Sequence, residues 1–133
     1  LDVQLPQNLP QVYADRVLLE QVLLNLLRNA IDANREHHPA QPSSVFLRAC
    51  TLGSDGLQIT VQDQGPGVNA EQFEQLFTPF YTSKADGLGL GLSMSRSIVE
   101  GFGGELDAQV QPQGLLLCCR LPLMAPLRKD EGV

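Results

Sequence analysis

Apolar and polar positions alternate along Asp2-Val-Gln-Leu5, which predicts a short strand. Pro6 and Pro10 bracket a connection, and Val12-Tyr13-Ala14 suggests a second short strand. Asp15 stands where a helix N-cap belongs, and the spacing behind it predicts a long helix over residues 16–35. At about 100° per residue, Gln21, Asn25, Arg28, Asn29 and Asp32 share one polar stripe, with Leu19, Leu23, Leu27 and Ala30 toward the other side. The polar, proline-bearing stretch His37 to Ser44 reads as a loop. Val45 to Thr51 and Leu57 to Gln62 read as strands joined by Leu52-Gly-Ser-Asp-Gly56, whose Asp-Gly pair favours a hairpin. Asp63-Gln-Gly-Pro-Gly67 breaks the second of them, and Ala70 to Leu76 is a short helix. Residues 77–90 show no period and read as a mobile loop. Leu92 to Phe102 is a second amphipathic helix closed by Gly103-Gly104, and Glu105 to Val110 with Leu115 to Leu121 forms a last hairpin around Pro112 and Gly114.

Irregular alternation of helices and hairpins predicts an α/β two-layer sandwich: a mixed, mostly antiparallel sheet covered on one face by helices. Hairpin connections demand antiparallel neighbours and so exclude a doubly wound parallel sheet. The 133 residues fit one domain, expected over residues 1–124, followed by a flexible charged tail over 125–133.

Charge and cysteine content narrow the function classes. A formal net charge of −6 without any basic run gives no support to general nucleic-acid or anionic-membrane binding. No apolar run approaches a membrane span, and the N-terminus lacks the pattern of a secretory signal. Without an initiator Met, the chain is expected to be a piece of a longer protein. The isolated domain is expected to be monomeric and cytoplasmic, even where the parent is membrane-anchored. Cys118 and Cys119 would face opposite sides of a strand and Cys50 stands alone; with no paired metal-type spacing, reduced and buried thiols are expected.

Candidate chemistry begins with Asn25 and Asn29. Asn is a poorer helix former than Ala, Leu, Glu or Lys, and its side chain competes with the backbone for hydrogen bonds. The stripe holding this pair offers amide oxygens, the Asp32 carboxylate and the Arg28 guanidinium. Magnesium carried by a nucleotide needs only one or two protein oxygens; the alternative is a polar face that tolerates two Asn. Asp63, at a strand end, can accept a hydrogen bond from the amino group of a base, while Gly65 and Gly67 let the backbone approach a flat ligand. The alternative there is a plain Pro-Gly turn. Gly87-Leu-Gly89-Leu-Gly91 runs directly into a helix N-terminus, which favours phosphate, or is a flexible hinge. Its spacing matches neither the P-loop nor the dinucleotide fingerprint, and protein-kinase signatures are missing. Phe77 and Phe80 could anchor one edge of a lid whose other edge is glycine-rich; Lys84 is either solvated or able to swing toward a phosphate.

In order and spacing, these segments together resemble the catalytic, ATP-binding domain of bacterial sensor histidine kinases, within the GHKL superfamily shared with gyrase, the ninety-kilodalton heat-shock chaperone and the MutL repair proteins. Asn25-Leu-Leu-Arg-Asn29-Ala-Ile-Asp is similar to the N box, Asp63-Gln-Gly-Pro-Gly67 to the G1 box, Phe77-Thr-Pro-Phe80 to the F box, and Gly87-Leu-Gly-Leu-Gly91-Leu-Ser to the G2 box. The resemblance spans roughly residues 1–123, and residues 77–104 are most similar to the oxygen- and nitrogen-sensing kinase subgroup. It implies that Asn29, with Asn25 beside it, holds the magnesium bridging the ATP phosphates, and that Asp63 binds the adenine amino group beside Gly65 and Gly67. It implies an ATP lid over residues 77–90, with Gly89 and Gly91 near the phosphates and Lys84 and Arg28 as further phosphate contacts. Asp32, Thr82, Gly87, Leu88 and Leu90 complete the implied nucleotide-binding set. Many relatives carry Thr after the Gly of the final strand; here Leu115 follows Gly114, which puts that contact in doubt.

Hydrolysing members of the superfamily resemble Glu-x-x-x-Asn at the N box, with Glu as the base that activates water. That place is Asn25 here, and an amide takes no proton from water near neutral pH. The resemblance therefore implies transfer of the γ-phosphoryl group to a stronger nucleophile, a histidine, by positioning and charge stabilisation, with Asn25, Asn29 and Lys84 as the catalytic set. Glu20, five residues before Asn25, is off the base position but could support an acceptor histidine from outside. His37 and His38 read as solvated loop residues; the resemblance then implies an acceptor on a separate dimerisation domain of the parent, expected N-terminal to Leu1, with a response regulator reached through it. The competing readings are a GHKL ATPase or serine kinase and a non-catalytic nucleotide-binding module.

Overall fold

The computed structural model describes residues 2–4, 14–37, 44–52, 56–79 and 91–123. In chain order these form β1 (Asp2–Gln4), α1 (Arg16–His37), β2 (Phe46–Leu52), β3 (Gly56–Gln62), α2 (Ala70–Gln75), α3 (Gly91–Gly101), β4 (Glu105–Val110) and β5 (Leu115–Pro122). One sheet runs in the order β1-β2-β3-β5-β4. Among the described strands only β1 pairs in parallel; the other neighbours are antiparallel. The mixed, mostly antiparallel sandwich is therefore present, with α1 and α3 on one face.

Strand register explains why that face is the core. Successive side chains of a strand point to opposite faces, so the pairing aligns rows across the sheet. Leu47, Val61, Leu117 and Ala108 form one row, and Ala49, Ile59, Cys119 and Leu106 the next. These rows meet Val22, Leu26 and Ala30 of α1 and Val99 of α3 in a single apolar cluster. The opposite face is mixed. Arg120 lies there between Gln58, Glu105 and Asp107, with nitrogen–oxygen distances of 3.2, 3.3 and 3.1 Å.

Helix ends follow local chemistry. The Leu18 N–H donates to Asp15 Oδ1 at 3.0 Å, so Asp15 caps α1 as expected. Asn69 and Gln72 form a reciprocal capping box at the start of α2, with distances of 2.8 and 2.9 Å. At the end of α3 the Gly103 and Gly104 N–H groups return to Glu100 and Val99 carbonyls.

Four expectations change. The core stripe of α1 is Val22, Leu26, Ala30 and Asn34, with Leu19, Leu23 and Leu27 flanking it half-buried. The polar stripe splits: Asn25, Asn29 and Asp32 are half-buried, whereas Gln21 and Arg28 are exposed on the solvent side with Leu24 and Ile31. An i, i+4 series drifts around a helix of 3.6 residues per turn, so a short apolar count misplaces the boundary. His37 is the last residue of α1 and not a loop residue. Cys118 and Cys119 are buried, but Cys50 is exposed. Of the strand suggested at residues 12–14, only Ala14 is described, in a bend; His38, Phe80 and the tail beyond residue 123 lie outside the described residues.

Candidate functional site

Asp63 leaves the end of β3 and is buried, 3% exposed. A buried carboxylate needs partners. Its Oδ1 accepts from the Gly65 N–H at 2.9 Å and from the Leu115 N–H at 3.1 Å. Its own N–H donates to the Leu115 carbonyl at 3.1 Å. The backbone of Leu115 thus holds Asp63, and no side-chain oxygen at position 115 is needed for this. Gly114, at φ 86°, makes the approach possible: a Cβ there would overlap the Asp63 carbonyl oxygen and lie 2.6 Å from Oδ1.

The loop after Asp63 presses onto α1. A Cβ on Gly65 would lie 2.8 Å from both Cβ and the carbonyl oxygen of Ala33, so only glycine lets the two backbones meet here. Gly67 adopts φ 75° beside the Gly114 carbonyl. Next to Ala33, the buried Asn34 accepts from the Gln64 N–H at 2.6 Å and donates to the Ser44 carbonyl at 3.0 Å. Gln64 Oε1 accepts from the Ser44 N–H at 3.0 Å, and Gln113 Nε2 donates to the Gln64 carbonyl at 3.3 Å.

Toward the other end of α1, Asn25 Nδ2 donates to Ser95 Oγ of α3 at 3.4 Å, and Ser95 is fully buried. Asn25, Asn29 and Asp32 thus occupy the shoulder of α1 between its core face and its solvent face. Gly91, exposed, opens α3. Among the described residues no group of three or more His, Cys, Asp or Glu could cage a metal. The donor set on this shoulder is two amides and one carboxylate. It fits a hard cation that arrives with most of its oxygen ligands on a nucleotide, and does not fit a thiolate or imidazole metal centre. Phe77 packs against the core, and the Arg96 guanidinium lies 4.4 Å from its ring centroid.

The structure therefore presses the Asp63 loop onto α1 through Gln64 and Gly65, holds Asp63 and Gly67 beside Leu115 and Gly114, and sets Asn25, Asn29 and Asp32 on one shoulder of that helix. It leaves Arg28 on the solvent side. Thr82, Lys84, Gly87, Leu88, Gly89 and Leu90 lie outside the described residues. Sequence reasoning missed Asn34, Ser95 and the closeness of Gly114 to Asp63. An extended i+4 series, 22-26-30-34, would have marked Asn34 as a polar residue on a buried stripe. Nothing local distinguishes Ser95, and the turn reading of Gly114 does not place it against Asp63.

A helix-covered, mostly antiparallel open sheet of this kind is the fold of histidine kinase catalytic domains. The solved mycobacterial sensor histidine kinase MprB superposes with a TM-score of 0.77 at 28% identity, over 91% of this chain and 79% of that one. A nucleotide-free catalytic domain of the histidine kinase ThkA gives 0.76 at 28% identity, over 90% and 77%. The chain belongs to the histidine kinase-, DNA gyrase B- and HSP90-like ATPase family, whose model matches residues 14–125. Among curated proteins it is 41% identical to the C4-dicarboxylate transport sensor protein DctB of Rhizobium meliloti over 119 residues, 90% of this chain and 18% of that protein. It is 40% identical to the sensor histidine kinase ZraS of Klebsiella oxytoca over 124 residues, 92% of this chain and 26% of that protein. The chain thus spans about a quarter or less of these relatives. No described helix is long and apolar enough to cross a membrane.

Proposed function

We propose that this domain binds ATP with magnesium and transfers the γ-phosphoryl group to a histidine on a separate dimerisation domain of its parent, from which a response regulator is served. The observation that carries the reading is Asp63: a buried carboxylate, gripped by two backbone N–H groups, in a loop pressed against the helix that bears Asn25 and Asn29. A carboxylate fixed in this way presents an acceptor for an exocyclic amino group without the entropic cost of ordering it on binding. Asn29 and Asn25, with Asp32 nearby, would hold the magnesium, which when bound neutralises charge on the phosphates. Gly91, at the start of α3, supplies a helix N-terminus for a phosphate. Lys84, Thr82 and residues 87–90 complete the proposed nucleotide contacts.

Asn25 separates kinase from hydrolase. Its amide is engaged with Ser95 and supplies no base for water. Phosphoryl transfer then depends on an acceptor brought from outside. The sensor histidine kinases among its relatives support the same reading for the parent; a monomeric, cytoplasmic domain is part of the proposal.

Titration with ATP, with and without magnesium, followed by a transfer assay with a histidine-bearing dimerisation domain, tests the proposal. Binding should need Asn29, and Asn29→Ala should lose magnesium-dependent affinity while keeping the native fold by circular dichroism. Rapid ATP hydrolysis by the domain alone would overturn the kinase reading.

A further inference from the structure

Asn34 is a polar side chain on the buried stripe of α1, 4% exposed. In that position Asn is unfavourable twice over: it is a poor helix former, and its amide loses water. Both ends of the amide are satisfied, and both partners lie outside the helix: Oδ1 accepts from the Gln64 N–H at 2.6 Å, and Nδ2 donates to the Ser44 carbonyl at 3.0 Å. Gln64 is the residue that follows Asp63. The Gly65 backbone, on the far side of Gln64, packs on Ala33. Two consecutive residues of α1 therefore clamp two consecutive residues of the Asp63 loop. Asn29 stands five residues earlier on the same helix, about 7.5 Å along its axis.

We propose that Asn34 is a positioning residue that fixes the register between the Asn25–Asn29 shoulder of α1 and the Asp63 carboxylate, and so sets how well the domain tells an adenine base from one lacking the 6-amino group. The inference rests on the nucleotide reading above. A helix pinned only by apolar packing can slide or tilt by fractions of an ångström at small cost, whereas a short, buried hydrogen bond resists this. Loss of the pin moves the base acceptor relative to the phosphate end, and base discrimination falls more than overall affinity.

The experiment measures affinities for ATP and inosine triphosphate, each with magnesium, for the whole chain and its Asn34 variants, under conditions where circular dichroism shows the native fold. Asn34→Ala should lower the ATP-to-ITP affinity ratio roughly tenfold, the equivalent of one buried hydrogen bond. Asn34→Asp keeps an oxygen for the Gln64 N–H but sets its other oxygen against the Ser44 carbonyl, where Nδ2 donates in the wild type, and should also lower the ratio. Should Asn34→Ala fail to fold, Asn34→Gln, which displaces the amide by one methylene, carries the same comparison and should also lower the ratio. Equal losses for both nucleotides, with the ratio unchanged, would overturn the positioning role and leave Asn34 a purely structural residue. A wild-type chain that binds neither nucleotide, or does not prefer ATP, would overturn the Asp63 reading itself and this inference with it.

Discussion

Gly114→Ala is the perturbation that tests the site architecture most directly. Gly114 sits at φ 86°, with the position that a Cβ would take directed at Asp63. Alanine at positive φ costs about 1–2 kcal/mol. The added Cβ would overlap the Asp63 carbonyl oxygen and crowd Oδ1 at 2.6 Å. Both partners are backbone or a buried carboxylate, so neither can rotate away, and β5 must separate from the Asp63 junction. Separation breaks the Asp63 N–H bond to the Leu115 carbonyl, worth about 1 kcal/mol, and the Leu115 N–H bond to the Asp63 carboxylate, worth about 1.5–3 kcal/mol. The sum is roughly 4 kcal/mol or more, a large part of the 5–15 kcal/mol typical of a domain. Urea unfolding followed by circular dichroism reads this as a lower midpoint at nearly unchanged slope. Gly101→Ala is the control: a Cβ there meets nothing within 4 Å, and stability should change by less than about 1 kcal/mol. If Gly114→Ala unfolds within about 1 kcal/mol of the wild type, the β5–Asp63 junction is not held as described.

Smaller effects follow from other contacts. Asp15→Ala removes the cap on Leu18 N–H and should cost about 1 kcal/mol in the same unfolding assay; no loss would show that the first turn is held by something else. Gly65→Ala drives a Cβ to 2.8 Å from Ala33 and should weaken ATP binding by pushing the Asp63 loop off α1, which a nucleotide titration checks. Thiol labelling of the native chain at pH 8 should modify exposed Cys50 quickly, and Cys118 and Cys119 only after unfolding. Burial pushes the Cys119 thiol up to about 12 from an ordinary 9.0 and raises Cys118 as well. The unfolded chain then releases these protons first, so their contribution to stability is complete below about pH 9 and is lost as pH rises toward 12. Cys119→Ala should flatten the alkaline fall in stability, and an unchanged slope would assign that fall to other groups.

Much of the architecture is legible in single segments. Asp-Gly between alternating runs marks the β2–β3 hairpin, Asp15 marks the start of α1, and Gly103-Gly104 marks the end of α3, because turns and caps depend on a few neighbouring residues. The spacing of Asn25 and Asn29, the Asp63 glycine motif and the glycines before α3 point to a nucleotide site for the same local reason. What the sequence by itself could not decide is which residues face one another. The Asp63 carboxylate is gripped by Leu115, 52 residues away, and Asn25 is bonded to Ser95, 70 residues away. Such partners are chosen by strand order and helix packing, and no local pattern encodes them. Burial is decided in the same way: the drift of an i+4 series puts Asn34 in the core and Arg28 in solvent once α1 lies across the sheet. Local chemistry determined the elements and the kinds of groups available; tertiary packing decided which of those groups are desolvated, paired and held in register, because those properties depend on distances between segments far apart in the chain.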